Sequence, residues 1–162
     1  MHVAAVLTAA GSGSRLGAQG PKAFVPLGGV PIVVLAARAL AASGLVGTLV
    51  VTAPAEQVEQ MAALLAEADP PVVAEVVAGG ETRQASVAAG LARVAELVGH
   101  DPAALVLVHD AARPLVPVEV VRRVVEALQA GHEAVVPGLA VVDTIKVVER
   151  AEGPGAAERV VS

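Results

Sequence analysis

The feature that most constrains this chain is a strict alternation. Short runs rich in Val and Leu take turns with longer, Ala-rich stretches of helical character. The short runs fall at residues 3–7, 48–51, 72–77, 105–108 and 134–136. They are continuous and β-branched, as strands buried on both faces are. The long stretches lie at 31–42, 54–68, 83–98 and 118–130, and in the second of them Val58, Met61, Ala62, Leu64 and Leu65 recur at helical spacing. Pro31, Pro54 and Pro117 stand at or beside helix starts, where a missing N–H leaves no bond unmade. Gly44 and Gly131 stand where helices should stop.

Strand and helix in strict turn predict an α/β fold: a Rossmann-like, mainly parallel sheet with helices on both faces. The tail breaks the rhythm. Residues 143–148 read as a strand, 150–158 are rich in Gly, Pro, Ala and Glu, and 159–161 are extended again. This pattern predicts a β-arm projecting near the C-terminus, with its tip at Gly153-Pro154-Gly155. Its apolar residues need a partner, and a second subunit is the cheapest one. The expected division is a nucleotide-binding body over 1–136 and a dimerisation and substrate arm over 137–162.

Composition narrows the function. A chain of 162 residues can enclose one proper core. Hydrophobic residues make up 55% of it, too many for a disordered chain, yet no run of about 18 uncharged apolar residues occurs that would span a membrane. Eleven Lys and Arg against sixteen Asp and Glu give a net charge of −5, and Phe24 is the single aromatic residue. The basic footprint and the stacking platforms of a nucleic-acid binder are both missing. Cysteine is absent, which removes disulfides, thiolate metal sites and a cysteine nucleophile. The opening residues lack the pattern of a secretory signal, so a cytoplasmic enzyme or binding domain is expected.

A parallel sheet binds ligands at the carboxyl ends of its strands, and three of those ends carry unusual chemistry. The first run leads into Thr8-Ala9-Ala10-Gly11-Ser12-Gly13-Ser14-Arg15-Leu16-Gly17, then Gly20-Pro21-Lys22. Small residues let backbone N–H groups approach an anion, and Arg15 and Lys22 neutralise it. The spacing is neither the dinucleotide fingerprint nor a Walker A loop. The third run ends in Val77-Ala78-Gly79-Gly80-Glu81-Thr82-Arg83-Gln84-Ala85-Ser86, where a Gly pair before a helix permits close ligand approach. The fourth ends in His109-Asp110-Ala111-Ala112-Arg113-Pro114. A carboxylate at the sheet edge can hold Mg²⁺ shared with phosphates, and Arg113 can clamp a second anion. The same two residues also admit a plain ion pair that fixes the turn. His109 reads as structural, and His2, His100 and His132 show no ligand spacing. Cationic loops and one carboxylate on a single rim suit phosphate transfer from a nucleotide, which needs positioning and charge neutralisation more than a protein nucleophile.

These motifs carry a family likeness. The run Ala9 to Gly17 followed by Pro21-Lys22 resembles the nucleotide-binding signature of sugar-phosphate nucleotidyltransferases. With Gly79-Gly80-Glu81-Thr82-Arg83 and Ser86-Val87, then Val108-His109-Asp110-Ala111-Ala112-Arg113-Pro114, then Asp143-Thr144-Ile145-Lys146, the ordered set resembles the 2-C-methyl-D-erythritol 4-phosphate cytidylyltransferase family. The resemblance implies transfer of CMP from CTP to methylerythritol phosphate with release of pyrophosphate, in isoprenoid precursor synthesis. It implies catalytic roles for Arg15 and Lys22. It places the nucleotide on Ala9, Ala10, Gly11, Ser12, Gly13, Gly80, Glu81, Ser86, Asp110 and Ala111, with Asp110 serving Mg²⁺. It assigns the acceptor to Arg113, Asp143, Thr144 and Lys146, the last three supplied by the arm of the other subunit of a homodimer. The family pattern continues into a further strand-and-helix section, and the chain is expected to stop before it. A nucleotidyltransferase for another sugar phosphate and a non-catalytic nucleotide-binding module are the alternatives.

Overall fold

The computed structural model describes residues 2–11, 22–68, 72–99, 101, 103–144, 146–150 and 158–160. Four parallel strands form the central sheet: β1 (Val3–Thr8), β4 (Thr48–Ala53), β5 (Val73–Ala78) and β6 (Leu105–Asp110), in the order β5-β4-β1-β6. The hairpin β2 (Pro26–Leu27) and β3 (Val30–Pro31) lies between β1 and helix α1 (Ile32–Ala41). Sequence patterning passes over this hairpin. Its turn is Gly28-Gly29, with φ of 60° and 83°, the left-handed pair that a two-residue hairpin turn favours. Helices α2 (Val58–Ala68), α3 (Arg83–Val98) and α4 (Val118–Gln129) complete the body.

β1 is the centre of the core because it is short, small-to-medium in side-chain size and apolar on both faces. Val3, Ala5 and Leu7 turn toward one layer, with Leu49 and Val51 beside them and Val33, Leu40, Val121 and Val125 from α1 and α4 above. Ala4 and Val6 turn the other way, toward Val50 and Val94 of α3. Each fully buried Val or Leu here contributes about 1.5–3 kcal/mol of transfer free energy. On the second face α3 comes down close to the strands because residue 90 is glycine: a Cβ there would lie 2.4 Å from Val6 Cγ1. Pro31 and Pro117 precede α1 and α4 as expected, and Gly44 and Gly131 take φ of 68° and 99° after the helix ends.

The chain steps from β1 to β4 to β5 in one direction, then crosses under α3 and returns to the far side of β1 as β6. That reversal puts the topological switch point, where open parallel sheets bind ligands, between β1 and β6. Among the described residues no helix is long and apolar enough to cross a membrane.

Two expectations fail. Residues 134–136 form no strand; they belong to an irregular, mostly exposed stretch in which Val136 is 89% exposed. Three residues followed by Pro137, which has no N–H to offer, are too few to hold a place without a neighbour. The tail strand does not run over 143–148 either. It begins at Val148, as β7 (Val148–Arg150), and pairs antiparallel with β8 (Glu158–Val160). The pairing partner, not local β propensity, sets where that strand starts. The expected hairpin is therefore present, while its tip at 153–155 lies outside the described residues.

Candidate functional site

The loops after β1, β5 and β6 meet at one rim. Parallel pairing sets Thr8 level with Asp110 and with Thr52, so β1 and β6 end together. The rim is then stitched by backbone bonds: Ala9 N–H donates to the Thr52 carbonyl at 2.9 Å, Ala111 N–H to that of Thr8 at 3.0 Å, and Gly79 N–H to that of Ala53 at 2.8 Å.

At the switch point lies a small open depression of about 60 Å³, lined by Thr8, Ala9, Gly11, Lys22, Ala23, Ile32, Ala111 and Ala112. Four residues expected to share a nucleotide site, Ala9, Gly11, Lys22 and Ala111, thus share one depression. Small side chains on three of its sides leave room for a ligand to approach the backbone. Lys22 opens a short helical turn, Lys22–Phe24, and makes no ion pair among the described residues. Ser12, Gly13 and Arg15 lie outside the described residues.

The loop after β5 is built by close packing. A Cβ on Gly79 would lie 2.5 Å from Ala10 Cβ and 2.8 Å from Ser86 Oγ, and one on Gly80 would lie 2.4 Å from Ala85 Cβ. Only glycine fits at either position. Ser86 is 3% exposed. Its hydroxyl accepts from Gly80 N–H at 3.2 Å and lies within donating distance of the Thr82 and Gly80 carbonyls, at 3.0 and 3.2 Å. Its polar capacity goes into shaping the Gly79-Gly80 loop. Thr82, which sequence reasoning gave no role, caps α3 by accepting from Ala85 N–H at 3.0 Å. Glu81 is exposed on the same turn.

Asp110 ties the three loops together. Its Oδ1 accepts from Thr8 Oγ1 at 3.0 Å, and from Nε and Nη2 of Arg83 at 3.1 and 2.9 Å. Its Oδ2 faces Arg113 Nε at 3.5 Å. Burial pushes the carboxyl upward, but the hydrogen bonds from Arg83 and Thr8 and the charges of Arg83 and Arg113 outweigh it. The group is held below its ordinary value, ionised at neutral pH. The turn-fixing ion pair with Arg113 is therefore present, but the shorter contact belongs to Arg83. Sequence reasoning quoted Arg83 within a motif without assigning it, and passed over Thr8. The one available signal was a polar residue closing each of two apolar runs that lie side by side. His109 Nε2 lies 2.9 Å from the Arg113 carbonyl, a contact that suits a structural reading. A carbonyl only accepts, so that nitrogen carries the proton.

Asp143, Thr144 and Lys146 are exposed in the stretch leading to the arm, and no hydrogen bond or ion pair joins them to the rim among the described residues. Among the described residues no three His, Cys, Asp or Glu side chains converge as a metal cluster. A single ionised Asp at a phosphate-sized depression fits Mg²⁺ only as an ion whose other ligands are phosphate oxygens and water.

Comparison with known proteins agrees with this geometry. Residues 3–159 match the family model described as IspD, 2-C-methyl-D-erythritol 4-phosphate cytidylyltransferase. The enzyme of that name from Nocardia farcinica is 50% identical over 149 residues, covering 92% of this chain and 61% of the relative. The one from Streptomyces coelicolor is 47% identical, covering 99% of this chain and 58% of the relative. The chain thus spans about three fifths of the length of the curated relatives it matches. The crystal structure of 4-diphosphocytidyl-2C-methyl-D-erythritol synthase from Anaerococcus prevotii shares the fold, with a TM-score of 0.70 and 23% identity over 91% of this chain and 60% of that one. A second synthase structure of the same name gives a TM-score of 0.72 at 22% identity, covering 98% of this chain and 71% of that one. With a match running almost from end to end, this chain belongs to the 2-C-methyl-D-erythritol 4-phosphate cytidylyltransferase family.

Proposed function

We propose that the protein transfers CMP from CTP to 2-C-methyl-D-erythritol 4-phosphate and releases pyrophosphate. The observation that carries this reading is that Lys22, Ala9 and Gly11 line one depression at the β1–β6 switch point with Thr8, whose hydroxyl bonds the Asp110 carboxylate. Family membership supports this choice of substrates.

The chain's residues divide the work. The triphosphate lies along the loop after β1, where backbone amides and Lys22, joined by Arg15, offset its charge. A phosphate oxygen of the acceptor attacks the α-phosphorus in line. The bond from that phosphorus to the oxygen bridging to the β-phosphate breaks, and the electron pair leaves with pyrophosphate. Lys22 and Arg15 stabilise the charge that builds on the α-phosphoryl oxygens, and such preorganised cations act most strongly in the transition state. Gly80 and Glu81 border the base, with Ser86 fixing the turn they sit on, while Ala10 and Ala111 bound the nucleotide from either side. Asp110, together with the phosphates, would hold Mg²⁺, which would supply charge neutralisation on the nucleotide.

Arg113 meets the phosphate of the acceptor. Asp143, Thr144 and Lys146 complete that site from the arm of a second copy in a homodimer, a reading supported by their exposure and by their lack of a described contact with their own rim. Residues 1–136 are accordingly the nucleotide-binding body and 137–162 the arm. We place the reaction in the cytoplasm.

The test is pyrophosphate release by the full-length protein. Release from CTP should require both methylerythritol phosphate and Mg²⁺, and UTP, GTP and dTTP should be poor substitutes. Absence of release, or equal use of another nucleotide, removes the assignment.

A further inference from the structure

One oxygen of the rim carboxylate is fully engaged. Asp110 Oδ1 takes three donors, Thr8 Oγ1 and both Nε and Nη2 of Arg83, all between 2.9 and 3.1 Å. Oδ2 has Arg113 Nε at 3.5 Å. One negative charge thus stands between two guanidinium groups, and the cluster as a whole is positive. That suits a polyanion and repels a lone dication.

The two Asp110 partners differ in how easily they leave. Thr8 is held by its strand, level with Asp110 in the parallel register. Arg83 is the first residue of α3, and its side chain is 63% exposed. Its guanidinium can swing from Oδ1 into water or onto a phosphate oxygen by side-chain rotation alone, while Thr82 keeps the helix start capped. Thr8 would still orient the carboxylate after that release.

We propose that Arg83 is a positioning residue that covers Asp110 Oδ1 and, with Arg113 beside Oδ2, sets a net positive charge against a free divalent cation, so that the cation enters with the nucleotide. The inference rests on the reading of Asp110 as the carboxylate that faces the metal–triphosphate complex. Phosphate oxygens supply the charge that makes the exchange favourable: they attract the Arg83 guanidinium and bring the cation to the freed oxygen. A dication without phosphates has nothing to offer Arg83 in return.

The experiment is a titration of the full-length protein with Mn²⁺ alone, read by the loss of the free-ion electron paramagnetic resonance signal. Arg83→Gln, which removes the charge at an exposed position, should bind Mn²⁺ about fivefold or more tightly than the wild type, the effect expected from deleting one partly screened cation beside the ligand. Arg83→Met, which keeps the aliphatic stem, should match it, and Arg83→Lys should stay near the wild type. Adding Asp110→Asn to Arg83→Gln should erase the gain. Unchanged or weaker Mn²⁺ binding by Arg83→Gln and Arg83→Met overturns the proposal, as does a gain that survives Asp110→Asn. A merely structural staple would move thermal stability and leave the Mn²⁺ affinity alone. Calorimetry of CTP binding to the wild type in the presence of Mg²⁺ is a separate arm: its failure counts against the nucleotide assignment, whereas the Mn²⁺ comparison judges Arg83.

Discussion

The rim and the arm make opposite use of their residues. At the rim the chain's own packing places Asp110, through Thr8 and two arginines, and the Gly79-Gly80 loop, through Ala10, Ala85 and Ser86. In the stretch leading to the arm, Val136, Leu139 and Val142 are 89%, 97% and 93% exposed, with Asp143 and Thr144 exposed beside them. Isolated exposed hydrophobes are ordinary, but a run of them asks for cover. The lesson is that the rim's carboxylate and its glycine loop are held within the chain, whereas the described residues 136–144 are mostly exposed. Under the proposed function, chemistry that needs fixed charge would belong to the rim, and recognition of the acceptor could be shared.

The sharpest way to break that division is at Lys22. Lys22→Ala should lower turnover by about 10²-fold or more, as loss of a preorganised charge at the transition state does. Arg15→Ala should do the same. Thr144→Ala should act on the acceptor KM instead. Steady-state kinetics decide, and a near-normal rate for Lys22→Ala contradicts its assigned role.

Next in size is a test of packing. Gly90→Ala places a Cβ 2.4 Å from Val6 Cγ1 at the centre of the sheet, and overpacking of this kind costs about 1–3 kcal/mol, partly offset by the better helix propensity of Ala. Gly138, on the way to the arm, has nothing within 4 Å of its missing Cβ, so Gly138→Ala should stay within about 0.5 kcal/mol of the parent. Denaturant melts of the two variants compare the regions directly. Equal losses would mean that the stretch after α4 is packed as tightly as the core.

The same contrast explains what could be read from the sequence. Buried parallel strands announce themselves as β-branched runs, and β1, β4, β5 and β6 fall where those runs are. Their ends fix where the loops open, so Ala9, Gly11, Lys22 and Ala111 could be grouped before any coordinates. What escaped was pairing. Arg83 and Asp110 are 27 positions apart and meet only because α3 starts beside the end of β6. No local pattern encodes that distance. Residues 134–136 and 143–148 carry strand-like composition, but a strand exists only against a partner, and the one formed begins where Val148 finds Val160. The family resemblance places Ser86 at the nucleotide. Its burial, which turns it into a loop clasp, depends on Gly79 having no side chain.

A smaller effect is expected from the rim's outer cation. Arg113 is 77% exposed in its side chain and lies 3.5 Å from Asp110, so it is free to meet a phosphate without dismantling the carboxylate cluster. Arg113→Ala should raise the KM for the phosphoalcohol by several-fold to about tenfold, the equivalent of up to about 1.4 kcal/mol, with little change in kcat. A fall in kcat at constant KM would move Arg113 from the acceptor to the reacting phosphate.

The smallest effect concerns acid stability, and it separates a built charge cluster from a merely exposed one. Asp110 titrates below its ordinary range because Arg83 and Thr8 bond its charged form, with further help from the Arg113 charge, against the opposing effect of burial. A carboxyl whose folded value lies below its unfolded one adds stability that is fully present above the unfolded value, near pH 4, and is lost as pH falls through the lower, folded one. The wild type should therefore be more stable than Asp110→Asn at pH 6, and the gap should close as the pH is taken down through the acid limb. Both guanidiniums are well exposed, and water screens such pairs, so the gap at pH 6 should be below about 1 kcal/mol. Thermal melts of the two proteins from pH 6 to pH 3 measure it. Repeating the series on a Leu139→Ser background should give the same convergence if the rim cluster is self-contained. A gap that widens toward acid would mean that the neutral carboxyl, not the ion, is the form this fold holds.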